Sequence, residues 1–372
     1  MRIAYVTTYD ATNVHNWSGL GYFIARTLEE QGSSLQYINV GSPPFAWRAY
    51  GRLRSQLGQS HLPERAMRLA ERRANRICRS LSHGTELVFS PGTLAVAGLP
   101  GAPPFVFWAD ATFAAMIDFF PGFSDLDPRT IKQGHEVERR ALERCAAAIY
   151  ASEWAAQSAI KDYGADPGKV YVVPFGANLD ALPTEEQAHA LIARRPRDSC
   201  RLLFLGVDWE RKGGALAVEA ARILNQRGLP TELVVVGCEP PSVEDFVRVA
   251  GFISKKGKPG QLQAHLAEAH FLILPSRAEC YGVVFAEASA YGVPSLATSV
   301  GGVPTAVRHG SNGALFDPSS GPAVYADFVE SAMPHYEVLA QQSVREYHDR
   351  LNWSTSGHAV QRILDAAVSG FR

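Results

Sequence analysis

Short apolar runs bounded by turn residues alternate along this chain with stretches of helical period, and the alternation occurs in two separate series. The first runs RIAYVTT, a helix over about 20–31, LQYINV, FVFWAD and AAAIYAS. The second opens at RLLFLG and continues with a helix over 214–227, ELVVVG, VAGFI, a helix over 260–269, FLILP, a helix over 282–291, and PSLAT. Strands that are apolar along their whole length are covered on both faces, and strands alternating with helices on this scale form parallel sheets flanked by helices. Because the pattern restarts once, the expected architecture is α/β, with two doubly wound, Rossmann-like domains facing each other across a cleft. Ligands of such sheets sit at the carboxyl ends of the strands. Residues 178–199 contain Pro183, the pair Glu185 and Glu186, and the basic residues Arg194, Arg195 and Arg197, without a strand signal, and mark the connection. The expected organisation is a first domain over 1–180, a linker over 181–198, a second domain over 199–350, and a C-terminal helix over 351–372 that packs back on the first domain.

A chain of 372 residues exceeds one compact core and suits two domains. It is 46% hydrophobic and 20% charged, the balance of a folded globular protein, and its 36 basic against 37 acidic residues create no overall field for nucleic acid. The cysteines Cys78, Cys145, Cys200, Cys238 and Cys280 are widely spaced and form neither a CxxC nor a Cys/His cluster, which implies reduced thiols and a cytoplasmic address. The opening MRIAYVTT runs directly into a strand rather than a leader peptide, and no apolar run approaches the length of a membrane span. Export and membrane crossing are therefore not expected.

Chemistry concentrates in LPSRAECYGVVFAEASAYGVP. The strand breaks at Pro275 and a helix resumes near Gly282, which leaves Glu279 in the turn and Glu287 on the helix beside the apolar Val283, Val284 and Ala288. A carboxylate flanked by core is costly unless it accepts hydrogen bonds, and the vicinal hydroxyls of a ribose would supply them. The amides of Tyr281, Gly282 and Val283 form a helix start suited to an anionic phosphate. The plainer reading makes Glu279 a capping acid and Glu287 a solvated helix residue. A second element, GVDWERKGG, places Arg211 and Lys212 at the carboxyl end of RLLFLG, with Gly213 and Gly214 allowing the backbone to approach a diphosphate. Read simply as a surface lysine at a helix start, Lys212 opposes the macrodipole unless an anion is bound. In TSVGGVP, Gly301 and Gly302 form a loop suited to a ligand or to a tight turn alone. Gly19 and Gly21 in HNWSGLGYF follow the first strand, where a glycine loop would face a diphosphate, but Ile24 replaces the third glycine of a dinucleotide fingerprint. No acid pair of the DxD type follows a strand and no His/Cys ligand set occurs.

In order and spacing these three elements, spanning Arg201 to Pro304, resemble the donor domain of family-4 retaining glycosyltransferases of the GT-B fold. The first half is similar to a bacterial subgroup of that family through TTYDATNVHNWSGLGYF, WADATF, SEWAAQSAIKDYG and KVYVVPFGANLD. The resemblance implies hexosyl transfer from a nucleoside-diphosphate sugar co-substrate, with retained configuration, no cofactor and no metal, to a glycan, lipid-linked or small-molecule acceptor. At matching positions it implies that Lys212 holds the donor diphosphate, Glu279 sits beside the donor sugar and Glu287 binds the ribose hydroxyls. Cys280, Tyr281, Gly282 and Val283 would contact phosphate or sugar, and the base would be met largely by backbone near Gly251, Phe252 and Ile253. Many relatives carry an arginine after the glycine that ends the first strand of this domain. This chain has Val207 and Asp208 there, and Arg211 is expected to supply the charge. The familiar histidine of the first domain is replaced in WADATF by Asp110 and Thr112. Lys212, Arg211, Glu279 and Asp110 are thus the catalytic candidates. Asp110, His15 and His135 are the acceptor-side candidates, each with a plainer reading as an ordinary polar or capping residue.

Other readings of the same architecture are a nucleotide-sugar epimerase, a phosphorylase, or an inactive partner subunit that keeps the fold. A nicotinamide-dependent dehydrogenase is disfavoured because neither half opens with a full Gly-x-Gly-x-x-Gly turn. Residues 48–79, bounded by Arg48 and Arg79, carry nine arginines against Glu64 and Glu71. Ala66, Ala70, Ala74, Ile77 and Leu81 form an apolar stripe at helical spacing that leaves arginine along the other face. Such a surface suits peripheral attachment to anionic lipid on the inner face of a membrane, or guidance of a charged acceptor. The plainer reading is a solvated helix whose stripe lies in the core.

Overall fold

In each half of the chain the first strand lies inside a sheet, and the strands that follow it are laid down first on one side and then on the other. The computed structural model describes residues 1–41, 65–101, 103–253 and 260–371. Contacts divide the chain into two units, Met1–Val173 with Ser356–Arg372, and Pro174–Thr355.

The first unit contains β1 (Arg2–Thr7), α1 (Leu20–Glu30), β2 (Ser34–Asn39), α2 (Arg65–Ser80), β3 (Leu87–Ser90), β4 (Phe105–Ala109), α3 (Phe113–Met116), α4 (Pro128–Arg144), β5 (Ala147–Tyr150), α5 (Glu153–Tyr163) and β6 (Val170–Val172). Its parallel sheet has the order β2-β1-β3-β4-β5-β6. Every residue of β3, β4 and β5 is buried, as expected for strands covered on both faces. Helix starts follow local chemistry. Asp127 caps α4, with Pro128 at its first position, and Ser152 caps α5, which ends at Gly164 in the left-handed region.

The second unit contains α6 (Glu185–Arg194), β7 (Cys200–Leu205), α7 (Gly214–Gln226), β8 (Thr231–Val236), β9 (Val247–Gly251), α8 (Gln261–Glu268), β10 (Phe271–Leu274), α9 (Val283–Ala290), β11 (Ser295–Thr298), α10 (Val303–Ala306), β12 (Gly313–Phe316), α11 (Pro322–Ala332) and α12 (Tyr336–Arg350). The parallel sheet has the order β12-β11-β10-β7-β8-β9, so that two strands, β8 and β9, lie on one side of β7, where the first sheet has β2 alone beside β1. The last helix, α13 (Trp353–Ser369), begins in this unit, where the Trp353 indole donates to Ala177 O at 2.9 Å. From Ser356 it groups with the first unit, where Gly357 leaves room for Thr27: a Cβ would stand 2.7 Å from Thr27 Cγ2.

Two sequence expectations need correcting. The stretch 181–198 is not an irregular connection, because it holds α6, closed at its start by a capping box between Thr184 and Gln187. It belongs to the second unit, to which the buried Arg195 ties it by donating to Gly292 O at 2.6 Å and Tyr291 O at 2.7 Å. The change of unit falls earlier, between Val173 and Pro174. In α2, Ala70, Ala74 and Ile77 are buried as a stripe and Arg72, Arg76 and Arg79 are exposed, but Arg73 lies on the buried side. Its spacing from Ala70 and Ile77 puts it on the stripe rather than opposite it. The remainder of the arginine-rich run, with Arg48, lies outside the described residues.

Candidate active site

The order of the second sheet reverses between β7 and β10, the position at which open parallel sheets bind ligands. Loops leaving the carboxyl ends of β7, β10 and β11 are joined there: Arg277 N donates to Arg211 O at 2.8 Å, and Gly302 N to Glu279 O at 3.2 Å. Gly213 precedes α7 with φ +76, and a Cβ on it would stand 2.2 Å from Pro275 O, so only glycine permits these two loops to meet.

Lys212 Nζ donates to Glu279 Oε2. Arg211 Nη1 donates to the same oxygen at 3.4 Å and to Ala278 O at 2.9 Å, while Arg211 Nε reaches Asp208 Oδ2 at 3.2 Å. Lys212 is 7% exposed and Glu279 9%, so the pair has left water, which is costly unless the geometry is good and the remaining polar atoms are satisfied. Lys212 is therefore not a surface lysine. The inference that a cation at this helix start requires a bound anion is also corrected, because Glu279 supplies one from within the chain. Nor is Glu279 a capping acid: the residue before α9 is Gly282, with φ +84 and no side-chain cap. Glu287 is 3% exposed, on a helix buried almost all round, and is no solvated residue. The amide end of α9 therefore opens beside Glu279 without a side-chain cap.

Other predicted residues divide into those that join this cluster and those that do not. Tyr281 shapes the turn: its hydroxyl donates to Phe175 O at 2.8 Å, its ring meets Phe175 edge-on at 5.3 Å, and burial holds the phenol protonated. Cys280 is buried next to it. Val207 is exposed, and the adjacent Asp208 pairs with Arg211, the residue expected to replace the missing arginine. Phe252 and Ile253 follow β9, two strands away from β7, with Phe252 exposed. Among the described residues no hydrogen bond or ring contact joins them to the Lys212–Glu279 pair.

Asp110, Gly19 and Gly21 lie in the first unit. Asp110 follows β4 and lines a cavity of about 180 Å³ at the carboxyl ends of β1, β3 and β4. Gly19 precedes α1 with φ +87. Gly21 is covered by Tyr9, whose hydroxyl would stand 2.5 Å from a Cβ there, and Gly21 O accepts from Tyr5 Oη at 2.7 Å. Thr112 caps α3 and bonds to Ser158 at 2.6 Å, a structural role. His135 sits beside Phe113, ring centroids 5.4 Å apart, and Tyr163, whose hydroxyl is 2.9 Å from Nδ1; burial lowers its pKa. His15 is exposed. Of the other cavity residues, Tyr9 and Trp17 lie within TTYDATNVHNWSGLGYF, but neither they nor Thr93 were anticipated as lining residues.

Among the described residues no three His, Cys, Asp or Glu side chains gather as a metal-ligand set, and no helix is long and apolar enough to cross a membrane.

Residues 199–333 match the family model described as glycosyl transferases group 1. A D-inositol 3-phosphate glycosyltransferase of Streptomyces scabiei is 30% identical over 57% of this chain and 52% of its own length. One from Paenarthrobacter aurescens is 30% identical over 66% of this chain and 62% of its own length. The matches thus span between about half and three fifths of these relatives. Among solved structures, sucrose-phosphate synthase from Thermosynechococcus elongatus aligns over 99% of both chains with a TM-score of 0.70 at 16% identity. Anabaena HepE, solved with UDP and glucose, aligns over 98% of this chain and all of its own with a TM-score of 0.64 at 15% identity. At those identities the likeness establishes the fold. The chain has the GT-B architecture of two Rossmann-like units, and its residues 199–333 form a glycosyl transferases group 1 domain.

Proposed function

We propose that the chain is a retaining, metal-independent glycosyltransferase of the family-4 type. It moves a sugar from a nucleoside-diphosphate donor to a glycan, lipid-linked or small-molecule acceptor, and acts as a cytoplasmic protein. The observation that carries this reading is the buried Lys212–Glu279 pair, with Arg211 on the same carboxylate, at the reversal of the second sheet and beside the uncapped start of α9. Two cations and a row of amides converge where a leaving diphosphate gains charge, and preorganised groups of that kind supply the largest share of many catalytic effects. The bond from C1 of the sugar to the diphosphate oxygen breaks and the acceptor oxygen bonds to C1 on the same face. The acceptor proton passes to the released phosphate. Glu279 keeps Lys212 in register beside the sugar, and the buried Glu287 accepts from the ribose hydroxyls. The similarity to D-inositol 3-phosphate glycosyltransferases supports sugar transfer, and the HepE structure solved with UDP and glucose supports a nucleotide-sugar donor.

The test is a panel of UDP-, GDP- and ADP-sugars incubated with the full chain, with and without EDTA. Release of nucleoside diphosphate that survives the chelator is expected. Strict dependence on added Mg2+ would contradict the metal-free reading, phosphate-dependent sugar release would indicate a phosphorylase, epimerised donor an epimerase, and donor binding without turnover an inactive partner. The exposed Arg72, Arg76 and Arg79 on α2 support peripheral attachment to anionic membrane. Sedimentation with anionic vesicles at low salt tests it, and protein left in the supernatant removes that part.

A further inference from the structure

The turn that follows β7 holds both cations of the second unit's site through one residue, Asp208. Its Oδ1 accepts from Arg211 N at 3.0 Å, its Oδ2 from Arg211 Nε at 3.2 Å, and its main-chain oxygen from Lys212 N at 3.1 Å. The far end of the Arg211 guanidinium meets the loop after β10, where Nη1 donates to Ala278 O at 2.9 Å and to Glu279 Oε2 at 3.4 Å. Arg211 therefore lies between carboxylates from two loops, one on Nε and one on Nη1, with its side chain 14% exposed. These bonds differ in meaning. An acid that accepts from the amide three residues on closes a turn, and many turns are built that way. The bond to Nε is not needed for the turn. It fixes the plane of a guanidinium whose donors form a rigid fork, and a side chain ordered beforehand loses less freedom when it meets a ligand. The charges balance as well. Arg211 and Lys212 are adjacent in sequence and share Glu279, and Asp208 sets a second carboxylate against the two cations, which offsets the repulsion between them.

We propose that Asp208 is a positioning residue for the donor diphosphate and acts through Arg211, its carboxylate setting the plane of the guanidinium against the phosphates as well as closing the turn. The assignment deepens the glycosyl-transfer reading and rests on it for the identity of the ligand. Electrostatics gives it a sign. Asp208 is an anion beside a site for an anion, so a carboxylate that did nothing but close the turn would repel the diphosphate, and neutralising it would tighten binding. A carboxylate that orients Arg211 has the opposite consequence: neutralising it weakens binding, because the cation loses its fixed direction.

Asp208→Asn and Asp208→Ser each keep an oxygen able to accept from Arg211 N, so the turn can close, and each removes the charge that holds Nε. Calorimetric titration of the full chain with UDP, GDP and ADP first selects the diphosphate that the wild type binds most tightly. Both variants should melt near the wild type and bind that diphosphate roughly tenfold more weakly, as expected for one hydrogen bond between charged groups. With the corresponding sugar donor, kcat should fall by more than KM rises, because the charge on the leaving diphosphate is greatest in the transition state. In an Arg211→Ala background, Asp208→Asn should change the affinity by less than about twofold, since Asp208 then has nothing to orient. Binding as tight as that of the wild type or tighter, a loss of equal size with and without Arg211, or a fall in melting temperature that accounts for the weaker binding would overturn the assignment and leave the donor reading standing. A wild-type chain that binds none of the three diphosphates would instead remove the donor reading, and the role of Asp208 with it.

Discussion

Both units bury charge, but in opposite ways. In the second, Lys212 and Glu279 are buried in contact, with Arg211 on the same oxygen. In the first, Glu138 and Arg73 are each 4% exposed and neither meets an opposite charge among the described residues. Glu138 accepts from Thr93 at 2.7 Å and lies 3.5 Å from the Tyr150 hydroxyl, while Arg73 reaches only main-chain oxygens. In a buried pair each partner depends on the other to offset its loss of water, whereas a lone buried carboxyl is free to take up a proton. The two arrangements therefore answer differently to mutation and to pH.

Removing one partner of the pair should give the largest effect. Lys212→Ala deletes the cation nearest the proposed leaving group, and loss of one such preorganised group costs about 2.7–4 kcal/mol, or roughly 100- to 1000-fold in rate. Arg211 still donates to Glu279, so the carboxylate keeps a partner and the fold survives. Transfer rates and melting curves on the same preparation decide the matter. More than a third of wild-type activity in the variant would show that the pair is structural.

Glu287 sharpens the comparison, because it is a buried carboxylate proposed to accept from the ribose hydroxyls of the donor. Hydrogen bonds to a charged group are worth about 1.5–3 kcal/mol. Glu287→Ala should weaken a ribose donor by about that amount and a deoxyribose donor much less, since the contact is already gone. Measuring kcat/KM for two enzymes and two donors gives a four-corner cycle, in which a coupling within about 0.3–0.5 kcal/mol of zero would mean that Glu287 does not touch the ribose.

The sheets were legible because their strands are apolar throughout and their helices end at glycine or polar caps, as at Gly164. Leu87–Ser90, Val170–Val172 and Gly313–Phe316 were not read as strands, although Ala147–Tyr150, Phe271–Leu274 and Ser295–Thr298 are as short and were; at three or four residues periodicity alone does not separate a strand from buried loop. Helix α6 did carry a readable signal, the Thr184-to-Gln187 spacing of a capping box, obscured by neighbouring proline and charge. On the donor side, Lys212, Arg211 and Glu279 were readable because each follows a strand at a recognisable spacing, although that Glu279 neutralises Lys212 is a matter of tertiary contact. The cavity of the first unit was not readable, since Thr7 and Ser90 end β1 and β3, Trp17 lies in the loop after β1 and Asp110 follows β4, and only the sheet brings these strand ends together. Glu138 and Arg73 pass as surface charges in sequence. Only helical phase betrays them: Glu138 adjoins Val137 and precedes Ala141 and Leu142, all buried, and Arg73 falls between Ala70 and Ile77.

The smallest predicted effect belongs to Glu138, and it is a pH effect. Burial pushes its carboxyl up to about 7 from 4.5, and the hydrogen bonds from Thr93 and Tyr150 offset only part of that. Around it, Thr93 comes from the loop after β3, Tyr150 from β5, Cys145 from the end of α4 and Tyr163 from α5, none of them a cation. The folded chain therefore binds this proton more tightly than the unfolded chain. Stability from this site is full below about pH 4.5 and declines as pH rises toward 7, because the unfolded state releases the proton first. Glu138→Gln keeps the shape and removes the titration. Each pKa unit of difference is worth about 1.4 kcal/mol, so the variant should gain roughly 2 kcal/mol relative to wild type between pH 5 and pH 8 after some relaxation around the ionised carboxyl. Urea unfolding of both proteins at the two pH values measures the difference, in which all other titrating groups cancel. A difference that stays constant across that range would mean that Glu138 remains ionised throughout, and would place an unseen counter-charge beside it.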